Sequence, residues 1–428
     1  MERRYKRAMA RSKLRKSQES VKREAKELEV SFFKEDLVRE LRESVHNFAL
    51  RMGLLTGLEL IESEVRELCG GRYERGKGAS RYGSQPGYLI VGGQKLAIER
   101  PRVRGVKEVK LATYKALQRK DALNEAVLAR MLRGVSTRQY EGAIESTEHT
   151  FGVRRSSVSR HFQKATKAVI EEFTKRRFDR ARYPVIFIDG IEYAGEMLVV
   201  VLGVTSDGCK EILGIRQGAS ENKAVVVGVL EDLVVRGLPT AQATLFVIDG
   251  GRALASGIKS VFGKYAVIQR CQVHKRRNIQ AHVPEKHWPE VKSRLDRAYA
   301  CQTYDKALTS LTTTAKWLQR IAPDAADSLR EGMEETLTVH KLNVPALLRR
   351  SISSTNIIES ALSVARRTTR RVTRWREGDM RKRWCLSGLL KAEEKFQKLQ
   401  GAKSMKELIA ALDQFVGAKQ VDSLEKAA

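Results

Sequence analysis

Apolar residues recur at helical spacing between Phe32 and Leu68, with Leu37, Leu41, Val45, Phe48, Ala49, Met52 and Leu55 on one face. This pattern predicts an amphipathic helix. The glycine-rich, basic stretch Gly70 to Gly87 has too few apolar residues for a core and predicts a loop or linker. Tyr88 to Val91, Gly92-Gly93 and Gln94 to Ile98 predict a hairpin, the glycines supplying the positive φ of a tight turn. Arg100, Arg102 and Arg104 follow it; they suit a phosphate backbone or a solvated strand end equally. A helix is predicted over Ala122 to Leu132, stopped by Gly134, and Ser136 caps a second over Thr137 to His149. After the turn Phe151-Gly152-Val153 a third begins near Arg155, burying Val158, Phe162, Ala165 and Val169. Helix, short turn, helix is the shape of a helix-turn-helix, although any three-helix bundle shares it. Its exposed face would offer Ser157, Arg160, His161 and Lys164 to a major groove.

From Tyr183 the pattern changes to apolar, β-branched runs. Val185 to Ile188 ends in Asp189-Gly190, Leu198 to Val204 and Glu211 to Ile215 follow, and Asn222 to Arg236 has helical spacing. Leu245 to Ile248 ends in Asp249-Gly250, Ala253 to Val261 is helical, and Tyr265 to Gln269 is the last predicted strand. The order β-β-β-α-β-α-β predicts a mixed α/β unit. Strand signals vanish from Asn278 to about Leu342, which predicts an all-helical segment, and a final helix runs from Ser354 into a basic stretch.

Composition sharpens this outline. The chain has 428 residues with 80 Lys plus Arg against 51 Asp plus Glu, a formal charge of +29. Residues 1–28 alone carry 11 Lys/Arg and 4 Asp/Glu, a basic arm. An apolar fraction of 42% supports packed cores, so the charge belongs to a folded chain that meets a polyanion. Met197 to Thr205 is the longest strongly apolar stretch, far short of the ~20 residues that span a bilayer. No apolar segment follows the basic N-terminus, and the five cysteines are odd in number and scattered. Both features point to a reducing, cytoplasmic setting, with nucleoid association expected and no membrane partner.

Candidate chemistry lies at the strand ends. A carboxylate there is costly without a partner, and a divalent cation is the natural one, but Asp-Gly also ends strands by turn preference alone. Two such ends in one α/β unit, Asp189 and Asp249, leave both readings open. Glu359 supplies a third acid, with Ser363, Arg366 and Arg370 following on the same helical face. That face suits a metal meeting a phosphodiester, the arginines gripping the backbone, or else a solvated intrahelical ion pair. Residues 363–383 hold 9 Lys/Arg and 2 acids, with Trp375 and Trp384 beside them, a combination typical of a nucleic-acid surface. Cys271 and His274 form half of a zinc motif, but no second close pair completes it, so they are expected to support the acids rather than bind zinc. No nucleophile elbow and no phosphate-cradling loop with Lys is present.

Four segments together, Val-Ile-Phe-Ile-Asp189-Gly, Val-Ile-Asp249-Gly-Gly, Gln-Arg270-Cys271-Gln-Val-His274-Lys-x-Arg277-Asn278 and Ser-Thr355-Asn356-x-Ile-Glu359-Ser, resemble the Mutator-type transposases of bacterial insertion sequences. The resemblance runs from about Arg72 to about Ala392 and is most specific around Cys271 and Glu359. It implies an α/β RNase H-like core with a mixed sheet and an all-α insertion, preceded by mainly helical DNA-binding regions. The corresponding divisions are 1–115 (arm, helix and hairpin, DNA-binding), 116–180 (helix-turn-helix), 181–277 and 346–400 (core), 278–345 (insertion) and 401–428 (helical tail). It implies a catalytic triad of Asp189, Asp249 and Glu359 holding two Mg²⁺, with Mn²⁺ as substitute. It also implies cleavage at terminal inverted repeats, strand transfer into target DNA, and a homodimer or higher oligomer on DNA. The contacts to DNA would come from Ser157, Arg160, Lys164, Arg366 and Arg370. Competing expectations are a non-catalytic DNA-binding protein and an RNase H-like endonuclease that cuts without joining.

Overall fold

Side-chain alternation along the central strands decides the architecture. The computed structural model describes residues 34–71, 78–92, 94–132, 155–218, 222–370, 372, 374–376 and 378–425. The chain divides into two compact units, up to Ala168 and from Val169.

In the first unit, helix Lys34–Cys69 packs on a three-stranded antiparallel sheet of β1 (Ser80–Val91), β2 (Gln94–Arg104) and β3 (Glu108–Val109). Leu54, Ile61, Val65 and Cys69 of the helix meet Leu89, Leu96, Ile98 and Val103 of the strands. Gly53 and Gly57 let the helix close on the sheet, because a Cβ at Gly53 would lie 2.5 Å from Val91 and one at Gly57 2.8 Å from Leu89. Glu64 accepts backbone N–H groups of Ala112 (2.7 Å) and Thr113 (2.9 Å), satisfying the start of the short helix Ala112–Ala116. The expected hairpin is present, with Gly92 at φ 55°, but it is longer than predicted. Residues 80–87 are strand, not loop: a register shift between Arg81 and Ser84, with Gly83 at φ 72°, carries this polar segment along β2. Arg100 and Arg102 therefore lie within β2 and share Glu108, and Arg102 binds it through two nitrogens at 3.0 and 3.1 Å.

Helices Lys120–Leu132 and Arg155–Thr174 match the first and third helices of the proposed helix-turn-helix. The second helix, its flanking turn, the basic arm and the side chain of Ser157 lie outside the described residues. Val158, Phe162 and Ala165 are buried and Arg160 and Lys164 exposed, as expected, whereas Val169 of the expected stripe is only half-buried. His161 is not free: its Nδ1 lies 2.7 Å from Asn124 Oδ1 and it is half-buried.

The second unit is built on a five-stranded mixed sheet in the order β6-β5-β4-β7-β8. β4 (Val185–Tyr193), β5 (Glu196–Val204) and β6 (Lys210–Gly218) are antiparallel neighbours; β7 (Thr244–Ile248) and β8 (Ala266–Arg270) add parallel to β4. Ile186, Ile188, Val199, Val201, Phe246 and Ile248 face helices Lys223–Val235 and Arg252–Phe262. Val185, Phe187, Leu198, Val200, Leu245 and Val247 face the opposite way, against helices Asn356–Thr369, Met380–Glu393 and Met405–Glu425. Every central strand is covered on both faces, which is why these segments read as continuous apolar runs. Residues 272–352 contain no strand among the described residues. Their helices Gln272–Gln280, Trp288–Ala300, Tyr304–Leu318 and Pro323–Arg330 share a core of their own around Val291, Leu295, Leu311, Leu318 and Leu329.

Of the two tryptophans of the basic stretch, Trp384 is withdrawn from the surface and Trp375 is half-buried. Trp375 packs on Tyr193 with ring centroids 5.3 Å apart. Arg381, between them in the chain, is likewise buried and donates to the Tyr193 carbonyl at 3.1 Å. The Trp375 ring adds cover to the apolar sheet face.

Candidate active site

Strand register brings the acids to one place. Phe187 pairs with Val247 across β4 and β7, so Asp189 and Asp249 occupy equivalent positions two residues further on. Both continue the rows Val185–Phe187 and Leu245–Val247, and thus project on the face covered by helix Asn356–Thr369. Ile358 and Leu362 bury that helix against the sheet, and Glu359, next to Ile358, comes to the edge of the same contact.

The two Asp-Gly pairs differ in conformation. β4 does not end at Asp189-Gly190, as the sequence predicts, but runs on to Tyr193, with Asp189 paired to Val200 of β5. At β7 the strand does stop, and Gly250 turns the chain at φ 105°, where a Cβ would meet the Arg270 guanidinium. Turn chemistry thus explains Gly250 and does not explain Gly190.

Each aspartate is held by one backbone N–H. Asp189 Oδ1 accepts from Gly190 and Asp249 Oδ1 from Gly251, both at 2.8 Å. No hydrogen bond among the described residues reaches either Oδ2. Burial raises the Asp189 pKa to about 6 against the help of the Gly190 N–H, and the charges of Asp249 and Glu359 push the same way. A carboxylate crowded by other carboxylates and left with a free oxygen is an oxygen-donor set for a hard cation.

Glu359 is fixed by a second cluster. Thr355 Oγ1 donates to Glu359 Oε1 at 2.8 Å; His274 Nδ1 lies 3.9 Å from the same oxygen, and Arg277 Nη1 lies 3.6 Å from Oε2. Cys271 follows β8 directly, heads helix Gln272–Gln280 and is fully buried. Its sulfur accepts the His274 N–H (3.4 Å), which caps helix Gln272–Gln280, and the Thr355 N–H (3.3 Å), at the start of the Glu359 helix. One sulfur therefore joins the N-termini of two helices. Burial pushes the thiol pKa up, but the hydrogen bonds from His274 and Thr355 outweigh it and hold it below its ordinary value.

The rest of the Cys271 block is structural. Gln269 Nε2 and Gln272 Nε2 both donate to the Thr336 carbonyl at 2.9 Å, and Gln269 Oε1 accepts the Val339 N–H. Lys275 is fully buried and donates to the carbonyls of Ser328 and Glu331, each at 2.6 Å. Arg270 reaches the Glu331 carbonyl and carboxylate. These side chains fasten the end of β8 to the return segment of the helical insertion. Thr355, Arg277, Gln269, Gln272 and Lys275 stand in the segments that carry the family resemblance, but the sequence assigned none of them a role. Four of them lie at or just after the last predicted strand, and Thr355 lies at the start of the final predicted helix.

Ser363, Arg366 and Arg370 are exposed along the Glu359 helix, as predicted. Acids carried by β4, the end of β7 and the facing helix, beside an exposed row of arginines in a chain of charge +29, define a protein that acts on nucleic acid. The chain belongs to the Mutator family of transposases, whose family model matches residues 15–397. It is 28% identical over 323 residues to the transposase for insertion sequence element ISRM5 of Rhizobium meliloti, covering 73% of this chain and 79% of that one. It is 28% identical over 286 residues to the transposase for IS905 of Lactococcus lactis, covering 64% and 70%. A third relative, the transposase for IST2 of Acidithiobacillus ferrooxidans, is 32% identical over 174 residues, 40% of this chain and 57% of that one. The chain is a transposition enzyme of insertion-sequence type. No helix among its described residues is long and apolar enough to cross a membrane.

Proposed function

We propose that the chain is a DDE transposase with an RNase H-like core, in which Asp189, Asp249 and Glu359 form the catalytic centre. The observation that carries this reading is the parallel register of β4 and β7, which sets Asp189 beside Asp249 on the face that receives the Glu359 helix. The three carboxylates would hold Mg²⁺, or Mn²⁺ in its place, and when bound the metal supplies charge for an in-line attack at phosphorus. The protein's own part is positioning. Gly190 and Gly251 N–H groups aim one oxygen of each aspartate, and Thr355, His274 and Cys271 set Glu359. Arg366 and Arg370 are placed to hold the flanking backbone, which neutralises phosphate charge without entering the reaction. Residues 278–345 form the insertion between the two halves of the core, 181–277 and 346–400.

Recognition of terminal inverted repeats is assigned to residues 116–180, through Ser157, Arg160 and Lys164, with residues 1–115 adding contacts to the backbone and a dimer or larger oligomer assembling on DNA. Incubating the full chain with a labelled duplex carrying the element's terminal repeat and Mg²⁺ tests the reading. Nicking at the repeat end followed by joining to a second duplex is expected. Cleavage without joining would instead identify an endonuclease, and binding without cleavage a non-catalytic DNA-binding protein.

Arg160→Ala is expected to weaken repeat binding. If Arg160 reads a base edge, the loss is about 1–3 kcal/mol and confined to one base position. If it holds a phosphate, the loss is uniform and the salt slope falls by about one. Unchanged affinity and slope in a binding titration would exclude helix Arg155–Thr174 from the interface.

A further inference from the structure

Cys271 Sγ, His274 Nδ1 and Glu359 Oε lie within 4.8 Å of one another, a sulfur, a nitrogen and an oxygen that together suit zinc. The Thr355 hydroxyl stands among them. Its Oγ1 lies 2.8 Å from Glu359 Oε1, 3.2 Å from His274 Nδ1 and 3.3 Å from Cys271 Sγ, and the residue is fully buried. Its contacts give the hydroxyl both an acceptor and a donor. The single proton goes to the carboxylate, the shortest of the three contacts. His274 Nε2 faces the Arg277 guanidinium at 3.4 Å, so Nδ1 carries a hydrogen and donates to one lone pair of Oγ1. The Cys271 sulfur, which already accepts two backbone N–H groups, is the longer and weaker of the two acceptors that the hydroxyl faces.

We propose that Thr355 is the positioning residue of Glu359, and that its hydroxyl fills the point at which a soft metal would otherwise bind Cys271, His274 and Glu359. The role follows from the geometry. A zinc ion at that point would draw the Glu359 carboxylate toward the sulfur and away from the two aspartates. A hydroxyl there holds the carboxylate by one hydrogen bond and leaves its remaining oxygen valence for the hard cation. The protein thus keeps a zinc-type donor set beside its catalytic acids without offering zinc a place. This inference rests on the catalytic reading of Glu359.

Two readouts test it on the full chain. The first needs no activity: Co²⁺ is added to the metal-free protein without DNA, and thiolate-to-cobalt absorption is recorded. The wild type is expected to show none at one equivalent. Thr355→Ala, which vacates the point, is expected to bind one Co²⁺ with that absorption, lost again in Thr355→Ala/Cys271→Ser. Stoichiometric thiolate-bound cobalt in the wild type would overturn the proposal, and so would its absence in Thr355→Ala. The second readout is cleavage of the terminal-repeat duplex with Mg²⁺. Thr355→Val keeps the shape and removes the hydroxyl; it is expected to lower kcat about 10- to 100-fold with DNA affinity unchanged, while Thr355→Ser restores kcat to within a few-fold. Wild-type kcat in Thr355→Val, or no rescue by Ser, would also overturn it. If Glu359→Gln still cleaves, the catalytic reading itself fails, whereas the cobalt measurement tests the hydroxyl independently of that result.

Discussion

Asp249→Asn is expected to abolish cleavage of the terminal-repeat duplex, lowering the rate by about three orders of magnitude or more, while affinity for that duplex stays within about twofold. The substitution is nearly isosteric. Asn keeps the Oδ1 that accepts the Gly251 N–H, so the start of helix Arg252–Phe262 is undisturbed. It removes the negative charge a cation needs and leaves every arginine that could touch phosphate. The same change at Asp189 is expected to have the same effect on cleavage. It also relieves a carboxylate whose pKa burial and its acidic neighbours have raised to about 6, so the metal-free variant should melt higher than wild type at pH 7. Gel-shift and cleavage assays on one protein preparation separate the two properties. Residual cleavage within tenfold of wild type would remove Asp249 from the catalytic centre.

Lys275→Met destabilises the second unit by about 2–4 kcal/mol at pH 7. Lys275 is fully buried, and its ammonium group serves the carbonyls of Ser328 and Glu331, at the C-terminal end of helix Pro323–Arg330, with the Glu331 carboxylate 3.9 Å away. Methionine fills the volume and leaves both carbonyls without that donor. The loss also has a pH signature. Burial, and secondarily Arg270, lowers the Lys275 pKa from 10.5 to about 8. Between pH 8 and the ordinary lysine value the unfolded chain holds a proton that the folded chain has released. Wild-type stability therefore rises with pH across that window, by up to about 3 kcal/mol, and below pH 8 the full cost of the buried charge remains. The methionine variant lacks this rise, so the gap between the two proteins widens from pH 7 to pH 9.5. Urea unfolding at a series of pH values measures it, and parallel stability profiles for wild type and variant would contradict the assignment.

The sequence alone determined the order of elements in the second unit and named the three acids. This was possible because sheet strands covered on both faces must be apolar throughout, so Val185 to Ile188 and Leu245 to Ile248 stand out, and an aspartate closing each is conspicuous. It also determined the buried stripe of helix Arg155–Thr174, because helical periodicity is a local property. It misjudged residues 80–87 and the course of β4 past Gly190, where strand pairing overrides a polar, glycine-containing composition. It also misjudged Trp384, whose basic neighbours concealed its burial.

Only the tertiary structure decided which residues surround the acids. The parallel register that aligns Asp189 with Asp249 depends on pairing between segments far apart in sequence, and no local pattern encodes it. Thr355 read as an ordinary residue ahead of a helix. Cys271 read as half of an incomplete metal motif. They acquire their roles because β8 ends against the start of the Glu359 helix, where one sulfur receives the N–H groups of both helices and one hydroxyl stands between three metal-capable atoms. Hydrogen bonds act over about 3 Å, so their partners are fixed by packing and not by spacing along the chain.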